Sequence, residues 1–217
     1  MSNVDRWLLP DGIDEVLPEQ AHLVEKMRRE IIDLYHSWGY DLVIPPMVEF
    51  TESLLSGSGQ DLDLMTFRLT DQLSGRLMGV RADITPQVAR MDAHSLNLSI
   101  PGRFCYAGTV LHTLPRGPLE SRSPISVGVE LFGESSVSAD IEIIELFLST
   151  LSVAQIGDVS LDLGHVDIVR GLIGEANLSV DLEAEVFDLL QRKARTELAF
   201  WISENIQNEQ LSSWLNN

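Results

Sequence analysis

Asp83 and Thr85 stand two residues apart in the run Arg81-Ala82-Asp83-Ile84-Thr85-Pro86. In an extended segment that spacing puts a carboxylate and a hydroxyl on one face, where both can converge on a single cation. Charge-assisted hydrogen bonds of this kind contribute about 1.5–3 kcal/mol each. The same residues also suit a plainer role, with Thr85 capping the helix that Pro86 opens and Asp83 solvated. Glu130 lies in Ser126-Val127-Gly128-Val129-Glu130-Leu131-Phe132, where two-residue alternation places it on one strand face with Gly128 and Ser126. A carboxylate in mid-strand between apolar residues must face water or have a partner. These groups are suited to binding a cation or a hydrogen-bond donor. The chain has no Gly-rich phosphate loop, no Cys/His metal spacing and no Ser–His–Asp arrangement in usable context, and its five histidines are scattered. By residue type alone the plainer role is the better reading for Asp83 and Thr85, and no catalytic residue, metal or cofactor is expected.

The elements that must hold these groups follow from periodicity. Val24, Met27, Ile31, Leu34, Tyr35 and Trp38 recur at three- and four-residue spacing, predicting an amphipathic helix over 17–38 ended by Gly39 as a left-handed cap. Tyr40 to Ile44 reads as a short strand stopped by Pro45 and Pro46, and Gly57 to Asp63 as a loop. Met65–Thr70 and Arg76–Arg81 flank a polar five-residue turn and predict a hairpin. Strands are expected over 100–113, 125–132 and 159–163. Helices are expected over 138–153 (stripe Ile141, Ile144, Leu148, Leu151), 166–176 and, as one or two segments, 181–204. Successive strands without crossover helices predict an α+β fold, an antiparallel sheet flanked by helices. The expected division is a core over 1–155 and a strand-plus-helix segment over 156–217.

Composition narrows the partners. Fifteen basic residues face 33 acidic ones, a net charge of −18, so the basic surface that neutralises phosphates is missing and no nucleic-acid role is expected. Lys26, Arg28 and Arg29, and again Arg192, Lys193 and Arg195, lie among acidic neighbours and read as solvated helix faces. No apolar run reaches the roughly 18–20 residues of a membrane span, and Met1–Leu17 has no signal-peptide character. A single cysteine, Cys105, fits a reducing, cytoplasmic setting.

A longer pattern is more specific. Leu9-Pro10-Asp11-Gly12 with Leu17-Pro18-Glu19, Trp38-Gly39-Tyr40 leading to Ile44-Pro45-Pro46 and Glu49, the hairpin from Met65-Thr66-Phe67-Arg68 to Val80-Arg81-Ala82-Asp83-Ile84-Thr85, and Tyr106-Ala107-Gly108 through Val129-Glu130-Leu131-Phe132-Gly133 occur in order. Over roughly residues 5–155 the chain resembles the histidyl-tRNA synthetases, class II aminoacyl-tRNA synthetases. The resemblance implies that the Trp38–Glu49 segment builds a homodimer interface. It also implies a histidine pocket: Asp83 and Thr85 would take the α-ammonium and Glu130 the imidazole. Ser126, a shortened replacement for a family glutamine, would stand beside the amino acid.

The same resemblance exposes a loss. Where the family has Phe-Arg-x-Glu, whose arginine neutralises the histidine carboxylate and the ATP α-phosphate, this chain reads Leu111-His112-Thr113-Leu114. Imidazole cannot fork onto both anions as guanidinium does. Loss of one such preorganised donor typically costs about 10²–10³ in rate. Arg116 and Arg122 are basic residues nearby, but neither holds the strand position. The histidine-specific arginine, the third class II motif and the anticodon-binding domain have no counterpart after Gly157, so the fold is expected to be incomplete at its C-terminus and the carboxylate partner has no candidate. A histidine pocket without activation chemistry is similar to the regulatory-subunit family of short-form ATP phosphoribosyltransferase. That resemblance implies a non-catalytic subunit that activates a separate catalytic subunit in the first step of histidine biosynthesis and relays inhibition by free histidine. A divergent histidyl-tRNA synthetase, or a synthetase-like binding module of other role, are the alternatives.

Overall fold

The computed structural model describes residues 7–57, 59–96, 101–115, 117, 120–176 and 178–206. The chain divides into two compact units, one ending at Asp158 and one beginning at Val159.

The first unit opens with helix α1 (Pro18–Ser37), which buries Ile31, Ile32 and Tyr35. Gly39 follows at φ 85°, the left-handed backbone that lets the chain leave the helix. Strands β1 (Asp41–Leu42) and β2 (Val48–Phe50) come next, then the short helices α2 (Thr51–Leu54) and α3 (Gln60–Met65). Helix α3 occupies part of the stretch expected to be a loop, with Asp61 and Asp63 in its first turn to complement the helix dipole. Strands β3 (Arg68–Thr70) and β4 (Leu77–Val80) form the expected hairpin, and β2 joins β4 on its other edge, all antiparallel. Helix α4 (Thr85–Arg90) runs into a π-helical turn, Met91–Leu96.

Strands β5 (Gly102–Thr109) and β6 (Ile125–Phe132) pair antiparallel along their whole length, with Phe104 opposite Glu130, Tyr106 opposite Gly128 and Gly108 opposite Ser126. Strand β1 adds to the free edge of β5 in parallel, so this second sheet is mixed. Alternation gives the β5–β6 ribbon two different faces. Cys105, Ala107, Val127 and Val129 pack against Ile31, Ile32, Tyr35 and, from helix α5 (Val137–Val153), Leu146. The opposite face carries Phe104, Tyr106 and Gly108 beside Ser126, Gly128 and Glu130, with Ile84, Val88 and Val110 packed against Phe104 and Tyr106.

Helix α5 buries Ala139 and Leu146, whereas Ile141 and Leu148 of the expected stripe are exposed. Apart from one polar stripe the helix is apolar around most of its circumference, so its periodicity could not select the buried side. Its N-cap is Ser136, and Ser138 lies inside it. Cys105 is fully buried and its thiol is pushed up to about 11, chiefly by desolvation, which makes it inert core.

The second unit holds α6 (Val166–Glu175), α7 (Val180–Gln191) and α8 (Arg195–Asn205). Val186 and Leu189 of α7 pack with Leu198, Trp201 and Ile202 of α8 and with Ile206. The strand expected over 159–163 is irregular, exposed chain. Among the described residues this unit offers no strand to pair with, and an isolated strand leaves its backbone groups unsatisfied.

Four of the six residues in the two basic clusters pair with acidic neighbours. Lys26 meets Glu30, Arg28 and Arg29 share Glu25, and Arg192 pairs with Asp188 and Glu197. No helix among the described residues is long and apolar enough to cross a membrane.

Candidate functional site

The hairpin β3–β4 and the start of α4 bring Asp83 and Thr85 to the open face of the β5–β6 ribbon. Asp83 Oδ1 accepts the backbone N–H groups of Ile84 at 2.6 Å and Thr85 at 3.3 Å. Asp83 thus satisfies the first free donors of α4, and the threonine expected as the cap does not: Thr85 is the first helical residue and makes no side-chain cap bond. Its hydroxyl is turned instead to the Tyr106 hydroxyl, 3.3 Å away. One Asp83 oxygen is left without a partner among the described residues.

Glu130 and Tyr106 complete the group. Burial pushes the Glu130 carboxyl above its ordinary range, the Asp83 charge adds to that, and the Thr85 and Tyr106 hydroxyls offset it in part. The Tyr106 phenol is pushed up to about 12, first by burial and then by the charges of Glu130 and Asp83, against the Thr85 hydrogen bond. No basic side chain among the described residues pairs with Glu130 or with Asp83. Two carboxylates and two hydroxyls face one another without a cation, and such a cluster gains free energy when a cation or N–H donor enters it.

Glycine makes room for this arrangement. A Cβ on Gly128 would sit 2.5 Å from the Tyr106 hydroxyl oxygen, so the Tyr106 ring lies across the strand at a position only glycine leaves clear. Ser126 shares the face, opposite Gly108, but no hydrogen bond ties it to the cluster. The structure therefore brings Asp83, Thr85 and Glu130 together and leaves Ser126 at the margin. Tyr106 was not among the predicted site residues. Its signal was the glycine directly across the ladder, since a mid-strand glycine marks close approach by another group.

His112 and Leu114 make no hydrogen bond to this cluster among the described residues, although His112 bonds the residue just before Asp83. The His112 ring is buried, and Nε2 donates to the Ala82 carbonyl at 3.0 Å, so its proton is committed to backbone. Leu114 is exposed. Arg122 donates from Nε to the His112 carbonyl and from Nη1 to the Asp11 carbonyl, and its guanidinium stacks over Phe67 at 5.2 Å. It braces the strand end and the N-terminal segment. Arg116 lies outside the described residues.

Comparison with known proteins identifies the family and the fold. The family model for histidyl-tRNA synthetase matches residues 12–217, extending past the 5–155 stretch in which the motifs are recognisable. The ATP phosphoribosyltransferase regulatory subunit of Saccharophagus degradans is 58% identical over 215 residues, 99% of this chain and 55% of that protein. Its counterpart in Stutzerimonas stutzeri is 61% identical over 199 residues, covering 92% and 50%. This chain thus spans about half the length of the curated relatives it matches. Among solved structures, a Bacillus halodurans protein described as an ATP phosphoribosyltransferase regulatory subunit/histidyl-tRNA synthetase superposes over 100% of this chain and 56% of its own, with a TM-score of 0.89 at 26% identity. By sequence motifs, by fold and by a family match over nearly its whole length, this chain belongs to the histidyl-tRNA synthetase family.

Proposed function

We propose that this chain is part of the non-catalytic regulatory subunit of a short-form ATP phosphoribosyltransferase, in which Asp83, Thr85 and Glu130, with Ser126 beside them, bind free histidine and transmit its inhibition to a separate catalytic subunit. The carrying observation is the contrast within one stretch of fold. The Asp83–Thr85–Glu130 cluster is half-buried and pairs with no basic side chain among the described residues, whereas His112, at the position of the activating arginine, is buried against the Ala82 carbonyl. Relatives named as regulatory subunits at 53–61% identity support the same reading. Feedback requires only that histidine bind one state of the assembly better than another.

The setting is the cytoplasm, and nucleic acid is not among the proposed partners. A second copy of the chain is. Strand β1 lies at the sheet edge, and Leu42, Ile44 and Met47 beside it are exposed apolar side chains of the kind buried between subunits.

The test is reconstitution of the full-length protein with a short-form catalytic subunit. Joining of ATP to phosphoribosyl pyrophosphate is expected to rise on addition of the protein and to become inhibitable by histidine, and the protein alone is expected to show no histidine-dependent ATP–pyrophosphate exchange. Unchanged activity and histidine sensitivity of the catalytic subunit would refute the proposal. Pyrophosphate exchange would favour a divergent synthetase instead.

A further inference from the structure

Arg81 follows directly on β4 and is 7% exposed. Its Nε donates to the Thr109 carbonyl at 2.9 Å and its Nη1 to the Pro45 carbonyl at 2.8 Å. Nη2 has no hydrogen-bond partner among the described residues. It rests against Gly108, where any Cβ would collide with it. Arg90 and Arg103 of this unit chelate Glu49 and Glu142 through two nitrogens each, whereas Arg122, like Arg81, meets backbone carbonyls. Arg81 pairs with no carboxylate among the described residues, although the chain carries a net charge of −18. Burial alone pulls its pKa down, with no acidic neighbour to offset it. A buried cation held only by carbonyl dipoles is costly, and an anion beside it would relieve that cost.

The position of the free nitrogen gives the anion a place. Gly108 opposes Ser126 on the ribbon face that also carries Tyr106, Gly128 and Glu130. From Ser126 to Glu130 is four residues of strand, roughly 13 Å between backbones, and the side chains at the two ends narrow that span. One end presents carboxylates that lack a cation, and the other a guanidinium that lacks an anion. A zwitterionic amino acid satisfies both at once.

We propose that Arg81 binds the α-carboxylate of the amino acid whose ammonium and ring are held by Asp83, Thr85 and Glu130. The assignment rests on the pocket being a histidine site, as proposed above. It places the carboxylate partner on the hairpin, in place of the arginine that His112 has replaced. Gly108 is then glycine because a side chain there would displace the guanidinium edge the carboxylate meets. Arg81 also sets specificity, since ligands without the carboxylate forfeit a charge-assisted bond at a buried site.

The test is calorimetric binding of L-histidine and of L-histidinamide, which lacks the negative charge, to the full-length protein and to its Arg81→Gln variant. The wild type is expected to bind histidine about 10- to 100-fold more tightly than histidinamide. Arg81→Gln is expected to bind both about equally, near the wild-type affinity for histidinamide. A variant that keeps the full preference for histidine would overturn the assignment. If Arg81→Gln does not fold, the guanidinium nitrogen resonances of Arg81 in the wild type decide the matter: they should shift with histidine and stay still with histidinamide. Equal affinities in the wild type would reject the role of Arg81 while leaving the pocket intact. Absence of binding by either ligand would reject the pocket and Arg81 together.

Discussion

Glu130→Gln is expected to weaken histidine binding about 10- to 100-fold, the equivalent of one charge-assisted hydrogen bond, while making the unliganded protein more stable at neutral pH. The two effects share one cause. Burial holds the Glu130 carboxyl above its ordinary range, with Asp83 adding to the shift. A carboxyl with a raised folded-state pKa binds more protons in the folded than in the unfolded chain between the two values. Its favourable contribution is complete below the unfolded pKa and is lost as pH rises through the folded one, so at neutral pH the ionised group is a cost. Glutamine keeps the shape and removes that cost. The stability gain should disappear in acid, below the ordinary carboxyl range, when thermal unfolding of the two proteins is compared across pH. Histidine affinity of the wild type should fall as pH is lowered through the Glu130 pKa, and that limb should be missing in the variant. Equal histidine affinities would remove Glu130 from the pocket.

Glu49→Ala is expected to destabilise the fold by about 3 kcal/mol, read as a lowered urea midpoint. Glu49 on β2 accepts two hydrogen bonds from Arg90 at 3.0 and 2.7 Å and one from Gln87 Nε2 at 2.9 Å, with its side chain only 8% exposed. Removing the carboxylate strands the Arg90 guanidinium and leaves Gln87 Nε2 with only the Pro46 carbonyl at the join between β2 and α4. The cost falls at the lower end of the range for broken buried pairs because the Arg90 side chain keeps 27% of its surface in water. Replacing both partners, as Glu49→Leu with Arg90→Met, should cost less than Glu49→Ala alone, since no unpaired charge remains. A loss below about 1 kcal/mol in the single variant would mean that the pair is solvated in solution. Because α4 begins at Thr85, this ion pair also steadies the segment that presents Asp83 and Thr85.

Local pattern was enough to read much of this architecture. Gly39 marked the end of α1, Ile125–Phe132 alternated cleanly as β6, and the polar turn between Thr70 and Arg76 announced the hairpin. Each signal lies in a few neighbouring residues. What the sequence concealed depends on contacts between distant segments. The buried face of α5 was hidden because the helix is apolar on most sides. The capping role fell to Asp83 rather than Thr85 because Tyr106, twenty-one residues further on, engages the threonine hydroxyl. Tyr106 joins the site, and Arg81 approaches it, through glycines opposite or beside them on the ribbon, and neither approach follows from spacing along the chain. The resemblance sets His112 where the family has its activating arginine, but the setting of that imidazole does not follow from the motif. Only the fold shows the His112 ring turned inward to the Ala82 carbonyl.

The central claim, that this pocket senses histidine without reacting it, is tested most directly by the histidine dependence of ATP phosphoribosyltransferase activity in a complex of the full-length protein with a short-form catalytic subunit, wild type against Glu130→Gln. Both complexes should reach the same activity without histidine, and the variant should need about 10- to 100-fold more histidine for half-inhibition. Identical inhibition curves would contradict the claim.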